Sequence, residues 1–220
     1  MTPPPAANPT TAPGSAPQAP IRLLIADDQA LVRGALATLL DLEDDLEVVA
    51  QVGSGDEVVA AVRAHDVDVA LLDIDMPGKD GLTTTAELSA ANLGCRVLIV
   101  TTFGRPGYLS RALEAGASGF LVKDTPPEQL ADAIRRIHAG LRVIDPTLAQ
   151  ESVLLGPNPL TDREKDVLRL AARGADAHGI AVQLHLGEGT VRNYLSSAIA
   201  KTQSRNRTEA ARTAERNGWL

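Results

Sequence analysis

The chain has 220 residues, which is enough for one or two domains that each bury a core. Its composition, with 44% hydrophobic and 22% charged residues, excludes a wholly disordered or fibrous chain. Aromatic residues make up only 2%, which argues against a stacking platform for single-stranded nucleic acid. A single cysteine, Cys95, rules out an internal disulfide, and no apolar run approaches the roughly 20 residues that span a bilayer. We therefore expect a cytoplasmic protein that does not enter the membrane.

The net charge of −7 is unevenly distributed along the chain. Residues 1–156 contain 11 Lys and Arg against 21 Asp and Glu, a balance of −10, whereas residues 157–220 contain 10 against 7, a balance of +3. An acidic part joined to a basic part suggests two modules with different partners, the second partner being a polyanion. The uneven charge by itself is explained equally well by random drift between domains. Sequence motifs are therefore needed to distinguish the two interpretations.

The N-terminal part of the chain divides into an arm and an alternating β-α pattern. Residues 1–20 contain seven of the 14 prolines and no charged side chain, which predicts a disordered arm. Strands are predicted at Ile21–Ala26, Leu46–Val52, 67–72, Arg96–Thr101 and 118–122, with segments of helical period between them. These repeats predict an α/β domain over residues 21–139 with a doubly wound, five-stranded parallel sheet.

The C-terminal part of the chain shows helical patterns only. The alternation lapses over residues 140–157, which we interpret as a linker, and residues 158–220 contain four helical segments. Thr161 and Glu164 have the spacing of a capping box, Gly174 ends the first segment, and Asp176 can cap the second. Two helices joined by a tight turn in a basic module indicate an all-α four-helix domain of helix-turn-helix type, although most helical hairpins bind no DNA.

Four acidic side chains follow strands of the predicted sheet. Asp27 and Asp28 come after the first strand, and Asp73 and Asp75 come after the third. In an open parallel sheet, ligands bind beyond the carboxyl ends of the strands. Isolated acidic residues at such positions are usually solvated or cap helices, but repulsion within this group favours a bound cation, and oxygen ligands suit Mg²⁺.

Two more strand ends add a hydroxyl, from Thr101, and an ammonium, from Lys123. A metal, a hydroxyl and an ammonium around one carboxylate form a site for a transferred phosphoryl group, because they neutralise its charge. Asp73 is the natural nucleophile of such a site. The alternative is an enzyme, since Asp73-Ile-Asp75 has the Asp-x-Asp spacing of haloacid-dehalogenase-type phosphatases. That motif, however, ends a first strand and is followed two residues later by Thr, where this chain has Pro77.

Four segments, at residues 23–29, 71–81, 100–103 and 116–124, carry a family resemblance. They read Leu-Leu-Ile-Ala-Asp-Asp-Gln, Leu-Leu-Asp-Ile-Asp-Met-Pro-Gly-Lys-Asp-Gly, Val-Thr-Thr-Phe and Gly-Ala-Ser-Gly-Phe-Leu-Val-Lys-Asp, and they resemble the flavodoxin-like receiver domain of bacterial two-component response regulators. The resemblance implies a sensor histidine kinase as partner, Mg²⁺ as cofactor and a homodimer that forms on phosphorylation. It also implies the following roles: Asp73 as phosphoacceptor; Asp27, Asp28, Asp73 and the backbone carbonyl of Asp75 as metal ligands; and Thr101, Phe120 and Lys123 as switch and phosphate-binding residues.

The C-terminal segment resembles the LuxR-type helix-turn-helix of the NarL/FixJ family. The resemblance rests on Leu-Thr-Asp-Arg-Glu at 160–164, Gly-Thr-Val-Arg-Asn-Tyr-Leu at 189–195 and Arg-Thr-Glu-Ala-Ala at 207–211. Three strings look like a DesR-like subgroup: Arg-Pro-Gly-Tyr at 105–108, Thr-Val-Arg-Asn-Tyr-Leu at 190–195, and the ending with Asn-Arg-Thr-Glu-Ala-Ala at 206–211 and Asn-Gly-Trp-Leu at 217–220. The resemblance implies a transcription factor rather than an enzyme, with double-stranded DNA and RNA polymerase as partners. The alternative within this fold is an atypical regulator controlled by a ligand or by its expression level, against which the intact phosphorylation residues argue.

The third helix of the C-terminal domain is predicted to enter the major groove. Helical periodicity places Val191, Leu195, Ala198 and Thr202 on one stripe, which faces the core. The opposite polar stripe predicts base contacts by Arg192, Asn193 and Ser196, with phosphate contacts by Thr190 and Lys201. Gly179, Gly187 and Thr202 depart from the residues usual in the family, which predicts a C-terminal domain of marginal stability.

Overall fold

The computed structural model describes residues 19–102, 104, 106–155 and 157–220, so the predicted arm over residues 1–20 lies almost wholly outside the described residues. Six strands form one parallel sheet in the order β2-β1-β3-β4-β5-β6. They are β1 (Ile21–Ala26), β2 (Leu46–Val52), β3 (Val69–Leu72), β4 (Arg96–Thr101), β5 (Gly119–Val122) and β6 (Val143–Ile144).

Helices cover both faces of this sheet. They are α1 (Ala30–Leu40), α2 (Gly55–His65), α3 (Gly81–Ala91), α4 (Pro106–Glu114) and α5 (Pro127–His138), each of which follows one of the first five strands. Neighbouring residues of β1 point to opposite faces, with Leu23 in the cluster beneath α5 and Leu24 in the cluster beneath α2. This two-sided burial explains why the strands read as continuous apolar runs.

The sheet has one strand more than the five predicted, and two strands begin later than predicted. Val67 lies before β3 because its amide bonds to the carbonyl of Val62 and closes the end of α2. The sixth strand, β6, pairs with Gly119 and Phe120 of β5, and its two residues are too few to show a period. Residues 140–157, predicted as a linker, thus contain β6 and the helix α6 (Pro146–Leu155), which packs on α4.

The C-terminal domain consists of four helices: α7 (Asp162–Ala172), α8 (Ala177–Leu184), α9 (Glu188–Lys201) and α10 (Arg207–Arg216). The capping box of Thr161 and Glu164 is confirmed, and the side chain of Asp176 caps α8. Residues 157–220 contain no strand, and their core includes Val167, Leu168 and Ile180. The domain limits 21–139, 140–157 and 158–220 stay predictions. Within the part of the chain that the structure describes, no helix is long and apolar enough to cross a membrane.

Candidate functional site: an acidic pocket and an exposed helix

Asp73 lies at the carboxyl end of β3 in the middle of the sheet. Its backbone amide donates to the carbonyl of Ala26 at 2.9 Å, which ties the end of β3 to the end of β1. One carboxylate oxygen accepts a hydrogen bond from the amide of Ile74 at 2.8 Å, and only 4% of the residue is exposed. The carboxylate is therefore held in a fixed position at the edge where ligands of parallel sheets bind.

Three carboxylates meet at this edge. Ligand oxygens of Asp27, Asp28 and Asp73 all lie within 4.8 Å of one another. Asp27 and Asp73 are buried, whereas Asp28 is exposed, so the cluster opens to solvent on one side. An all-oxygen set with an open side suits a hard divalent cation that keeps several waters. The convergence of these residues, predicted from strand ends, is thus confirmed.

Lys123 bridges two of the carboxylates from the end of β5. Its Nζ lies 2.7 Å from Asp27 Oδ2 and 2.9 Å from Asp73 Oδ2, and its amide donates to the carbonyl of Thr101 at 2.8 Å. Burial opposes the charge of Lys123, but the hydrogen bonds to both carboxylates outweigh it and raise the pKa of the ammonium. Burial raises the pKa of Asp73, and repulsion from Asp27 adds to this, while Lys123 offsets part of the effect.

The loop after Asp73 folds back against the phosphoacceptor position predicted from the sequence. Gly78 adopts φ +73°, a left-handed conformation that glycine favours. A Cβ at Gly81 would overlap the main-chain oxygen of Asp73, so only glycine lets α3 begin this close. Asp75 lies in this loop with an exposed side chain, and a ligand role for its main-chain carbonyl stays a prediction.

The two predicted switch residues lie on neighbouring strands. Thr101 ends β4 opposite Val122 of β5 and is only 2% exposed. Phe120 is fully buried on β5 and belongs to the same apolar cluster as Leu109 and Ala112 of α4. The acidic pocket is therefore connected to α4 both along the chain and through the core.

Helix α9 presents the two stripes that its periodicity predicts. Val191, Leu195, Ala198 and Thr202 are buried, and Thr190, Arg192, Asn193 and Ser196 are exposed. A network that the sequence analysis missed lies at the start of this helix. Glu188 accepts from Arg192 at 2.9 Å and lies 2.9 Å from Nδ1 of His178 on α8. The i,i+4 spacing of Glu188 and Arg192 was visible in the sequence.

Lys201, whose contact with a DNA phosphate stays a prediction, forms an ion pair within its own domain. Its Nζ lies 2.7 Å from Oε2 of Glu164, a buried carboxylate at the start of α7. Its charge is thus already paired inside the domain, and a DNA phosphate would have to share it. Glu164 is a residue whose second role the sequence did not indicate, because the capping box accounts for it locally.

Comparisons with known proteins assign both halves of the chain to families. The family described as response regulator receiver domain matches residues 23–135, and the family described as bacterial regulatory proteins, luxR family, matches residues 158–214. Two relatives from Bacillus subtilis (strain 168) align over 200 residues and 91% of this chain. The uncharacterized transcriptional regulatory protein YvfU is 47% identical with all of its length covered, and the transcriptional regulatory protein DesR is 46% identical with 99% covered.

Solved structures of similar proteins contain the same two folds in the same order along the chain. The response regulator ChrA of a heme-sensing two-component system is 33% identical, with a TM-score of 0.57 over 92% of this chain and all of that one. A structure of two RcsB dimers bound to two parallel DNAs is 22% identical, with a TM-score of 0.66 over 90% of this chain and 98% of that one, and shows the fold alone.

The fold and the acidic pocket define the class of the protein as a two-component response regulator, which is a DNA-binding transcription factor and not an enzyme. Within that class the chain belongs to the NarL/FixJ family, with a receiver domain followed by a LuxR-type helix-turn-helix domain. The phosphatase alternative is thereby set aside, since Asp73 follows the third strand of a receiver sheet.

Proposed function

We propose that a sensor histidine kinase transfers a phosphoryl group to Asp73 and that this modification switches the regulator to its DNA-binding form. The observation that carries the proposal is the meeting of three carboxylates within 4.8 Å, two of which are bridged by Lys123. In the transfer, a carboxylate oxygen of Asp73 attacks phosphorus, the new P–O bond forms, and the bond from phosphorus to the donor nitrogen of the kinase breaks.

Mg²⁺ is the cofactor that this pocket fits best. Asp27, Asp28, Asp73 and the carbonyl of Asp75 would hold it, and when bound it would offset the negative charge of the phosphoryl oxygens. Lys123 would turn from Asp27 and Asp73 to a phosphoryl oxygen. The Thr101 hydroxyl would move toward the phosphoryl group, and Phe120 would repack behind it.

Phosphorylation would promote a homodimer that reads two half-sites on double-stranded DNA. In α9, Arg192, Asn193 and Ser196 would contact bases, Thr190 a phosphate, and Lys201 a phosphate that it shares with Glu164. RcsB, which has the same fold, binds DNA as dimers. RNA polymerase is the further partner expected of a transcription factor.

The test is phosphorylation of the full chain by Mg²⁺ and phosphoramidate, measured by intact mass. We expect one added phosphoryl group on the wild-type protein and none on Asp73→Asn, because an amide is a poor nucleophile. Asp75→Asn is the matched control, since the site would use only the main chain of this exposed residue, and it should be modified like the wild type. A phosphoryl group retained in Asp73→Asn would place the acceptor elsewhere.

A further inference from the structure

Two of the sequence strings that are typical of the subgroup meet in the folded chain, through residues 107–108 of the first and 217–220 of the second. Gly107 lies in the first turn of α4, and Gly218 follows the end of α10. Both glycines are buried, and their main chains touch directly. A Cβ at Gly107 would overlap the main-chain oxygen of Asn217, and a Cβ at Gly218 would lie 2.6 Å from the carbonyl carbon of Gly107. Helix propensity gives no reason for glycine in the first turn of α4, whereas this contact does.

Gly218 also has a local role, so Gly107 is the more informative of the two. With φ +65°, Gly218 ends α10 in a Schellman arrangement, in which its amide bonds to Glu215 and the Trp219 amide bonds to Ala214. Gly107 does not adopt a left-handed φ, so its backbone conformation does not require glycine. The absence of a Cβ at Gly107 instead allows the segment Asn217–Leu220 to approach α4 closely.

Side chains complete the contact from both sides. Arg111, one turn further along α4, donates to the main-chain oxygen of Leu220 at 2.6 Å and lies 5.8 Å from the ring of Tyr108. The other side of the segment belongs to the C-terminal domain, where Trp219 and Leu220 pack on the core and Asn158 donates to the carbonyl of Trp219 at 3.0 Å. The segment is thus fixed to its own domain, and it touches the receiver through its backbone and the hydrogen bond from Arg111.

The contact lies on α4, the helix that is connected to the acidic pocket. Helix α4 begins five residues after Thr101, and its residues Leu109 and Ala112 share a buried cluster with Phe120. A contact between two backbones has no soft side chain to absorb movement, so a small displacement of α4 would break it. A cavity of about 650 Å³ lies beside the contact, lined among others by Arg111, Lys165 and Trp219, so part of the surface between the two domains is not closely packed.

Resting on the proposed function, we propose that residues 217–220 are a latch that docks on the first two turns of α4 in the unmodified chain and is released when Asp73 carries a phosphoryl group. The docked latch fixes the orientation of the C-terminal domain relative to the receiver. It leaves the polar stripe of α9 exposed, with 68% of the Arg192 side chain accessible. The latch therefore restrains how two C-terminal domains are placed on paired half-sites, and does not cover the base-reading surface.

The only tryptophan of the chain, Trp219, reports on the latch in the full-length protein. Beryllofluoride with Mg²⁺ mimics the phosphoryl group, and we expect it to increase acrylamide quenching of Trp219 in the wild type but not in Asp73→Asn. Gly107→Ala should show high quenching without the mimic. Because the coupling between two sites is reciprocal, the Gly107→Ala protein should also bind the mimic about 5-fold or more tightly than the wild type. In this variant, binding of the mimic no longer has to break the latch. Arg111→Gln should change quenching in the same direction by less.

Gly34→Ala is the matched control, because it makes the same substitution inside a helix where a Cβ meets nothing within 4 Å. It should behave as the wild type. Equal quenching in Gly107→Ala and Gly34→Ala would overturn the latch, as would a wild-type protein whose Trp219 quenching ignores a phosphoryl group that intact mass detects on Asp73. Quenching that depends on protein concentration would place the segment of a second copy on α4 and would also contradict the proposal. Absence of any phosphoryl group on Asp73 would instead refute the proposed function, and the comparison of the two alanine variants would still decide whether the segment docks.

Discussion

Glu164 shows how one buried carboxylate can join two helices of the C-terminal domain. Its oxygens accept from the Thr161 amide at 2.7 Å, the Ser197 hydroxyl at 2.6 Å and the Lys201 ammonium at 2.7 Å. Burial works against its charge, but the hydrogen bonds from Lys201, Ser197 and Thr161 together lower the pKa of Glu164 to about 2. The start of α7 and the last turns of α9 are therefore locked together by charge, which orients the exposed stripe of α9.

The Glu164 carboxylate should make the stability of the C-terminal domain depend on pH. Because its pKa is lower in the folded chain than the ordinary 4.5, the stabilisation is present above about pH 4.5 and is lost as the pH falls toward 2. Glu164→Gln keeps a capping oxygen but removes the charge, so it should cost up to roughly 3 kcal/mol near neutral pH and flatten this dependence. Denaturant unfolding of the full chain, followed by far-UV circular dichroism and Trp219 emission, measures both.

Asp162→Asn is the control for this experiment. Asp162 also pairs with a lysine, Lys165, at 2.6 Å, but its side chain is 93% exposed, so its loss should cost little. Equal effects of the two substitutions, or a Glu164→Gln protein that keeps the wild-type pH dependence, would show that the buried network does not hold α7 and α9 together.

The residues that depart from the family fit their places better than the sequence suggested. Thr202 is 7% exposed, and its hydroxyl donates to the carbonyl of Ala198 at 2.8 Å, so it fills a buried position with its polar group satisfied. Gly187 caps α9 without a side-chain bond. A Cβ at Gly179 would lie 3.2 Å from Oδ1 of the capping Asp176, which would have to shift slightly to accept it. The marginal stability of the C-terminal domain stays a prediction, and the satisfied hydroxyl of Thr202 lowers the cost expected at that position.

At the scale of elements, α9 is the helix that we propose contacts DNA bases. Arg192 is exposed and its guanidinium pairs with Glu188 one turn earlier, at 2.9 Å. Arg192→Ala in the full chain should weaken binding by about 1–3 kcal/mol on DNA selected from random oligonucleotides, and by much less on unselected DNA. Fluorescence anisotropy with both DNAs, at two salt concentrations, measures the difference.

Arg205→Ala supplies the comparison, because Arg205 is an exposed arginine of the same domain that lies outside α9. Its loss removes one positive charge of the domain without a predicted base contact, so it should affect selected and unselected DNA alike. A loss for Arg192→Ala that is equally large on both DNAs would make Arg192 a phosphate contact and would contradict its role in reading bases.

Periodicity and strand ends predicted most elements and the acidic pocket because those signals are local. The apolar runs of β1, β2 and β4 have the predicted bounds, and the carboxyl ends of parallel strands bring Asp27, Asp28 and Asp73 together by topology. The two-residue strand β6 carries no periodic signal and depends on pairing with Phe120. The contact of Gly107 with Gly218 joins residues more than 100 positions apart, and sequence spacing contains no information about it.

At the scale of the whole molecule, an acidic receiver and a basic DNA-binding domain are joined in one chain, and we propose that Asp73 in the first controls DNA binding by the second. The most direct test is recovery of genomic DNA fragments by the full-length protein, with and without phosphoramidate and Mg²⁺, for the wild type and Asp73→Asn in parallel. We expect treated wild-type protein to enrich a set of paired half-sites more strongly than untreated protein, whereas treatment should leave the sites recovered by Asp73→Asn unchanged. Equal enrichment by treated and untreated wild type, or the same gain in Asp73→Asn, would contradict control of DNA binding by Asp73.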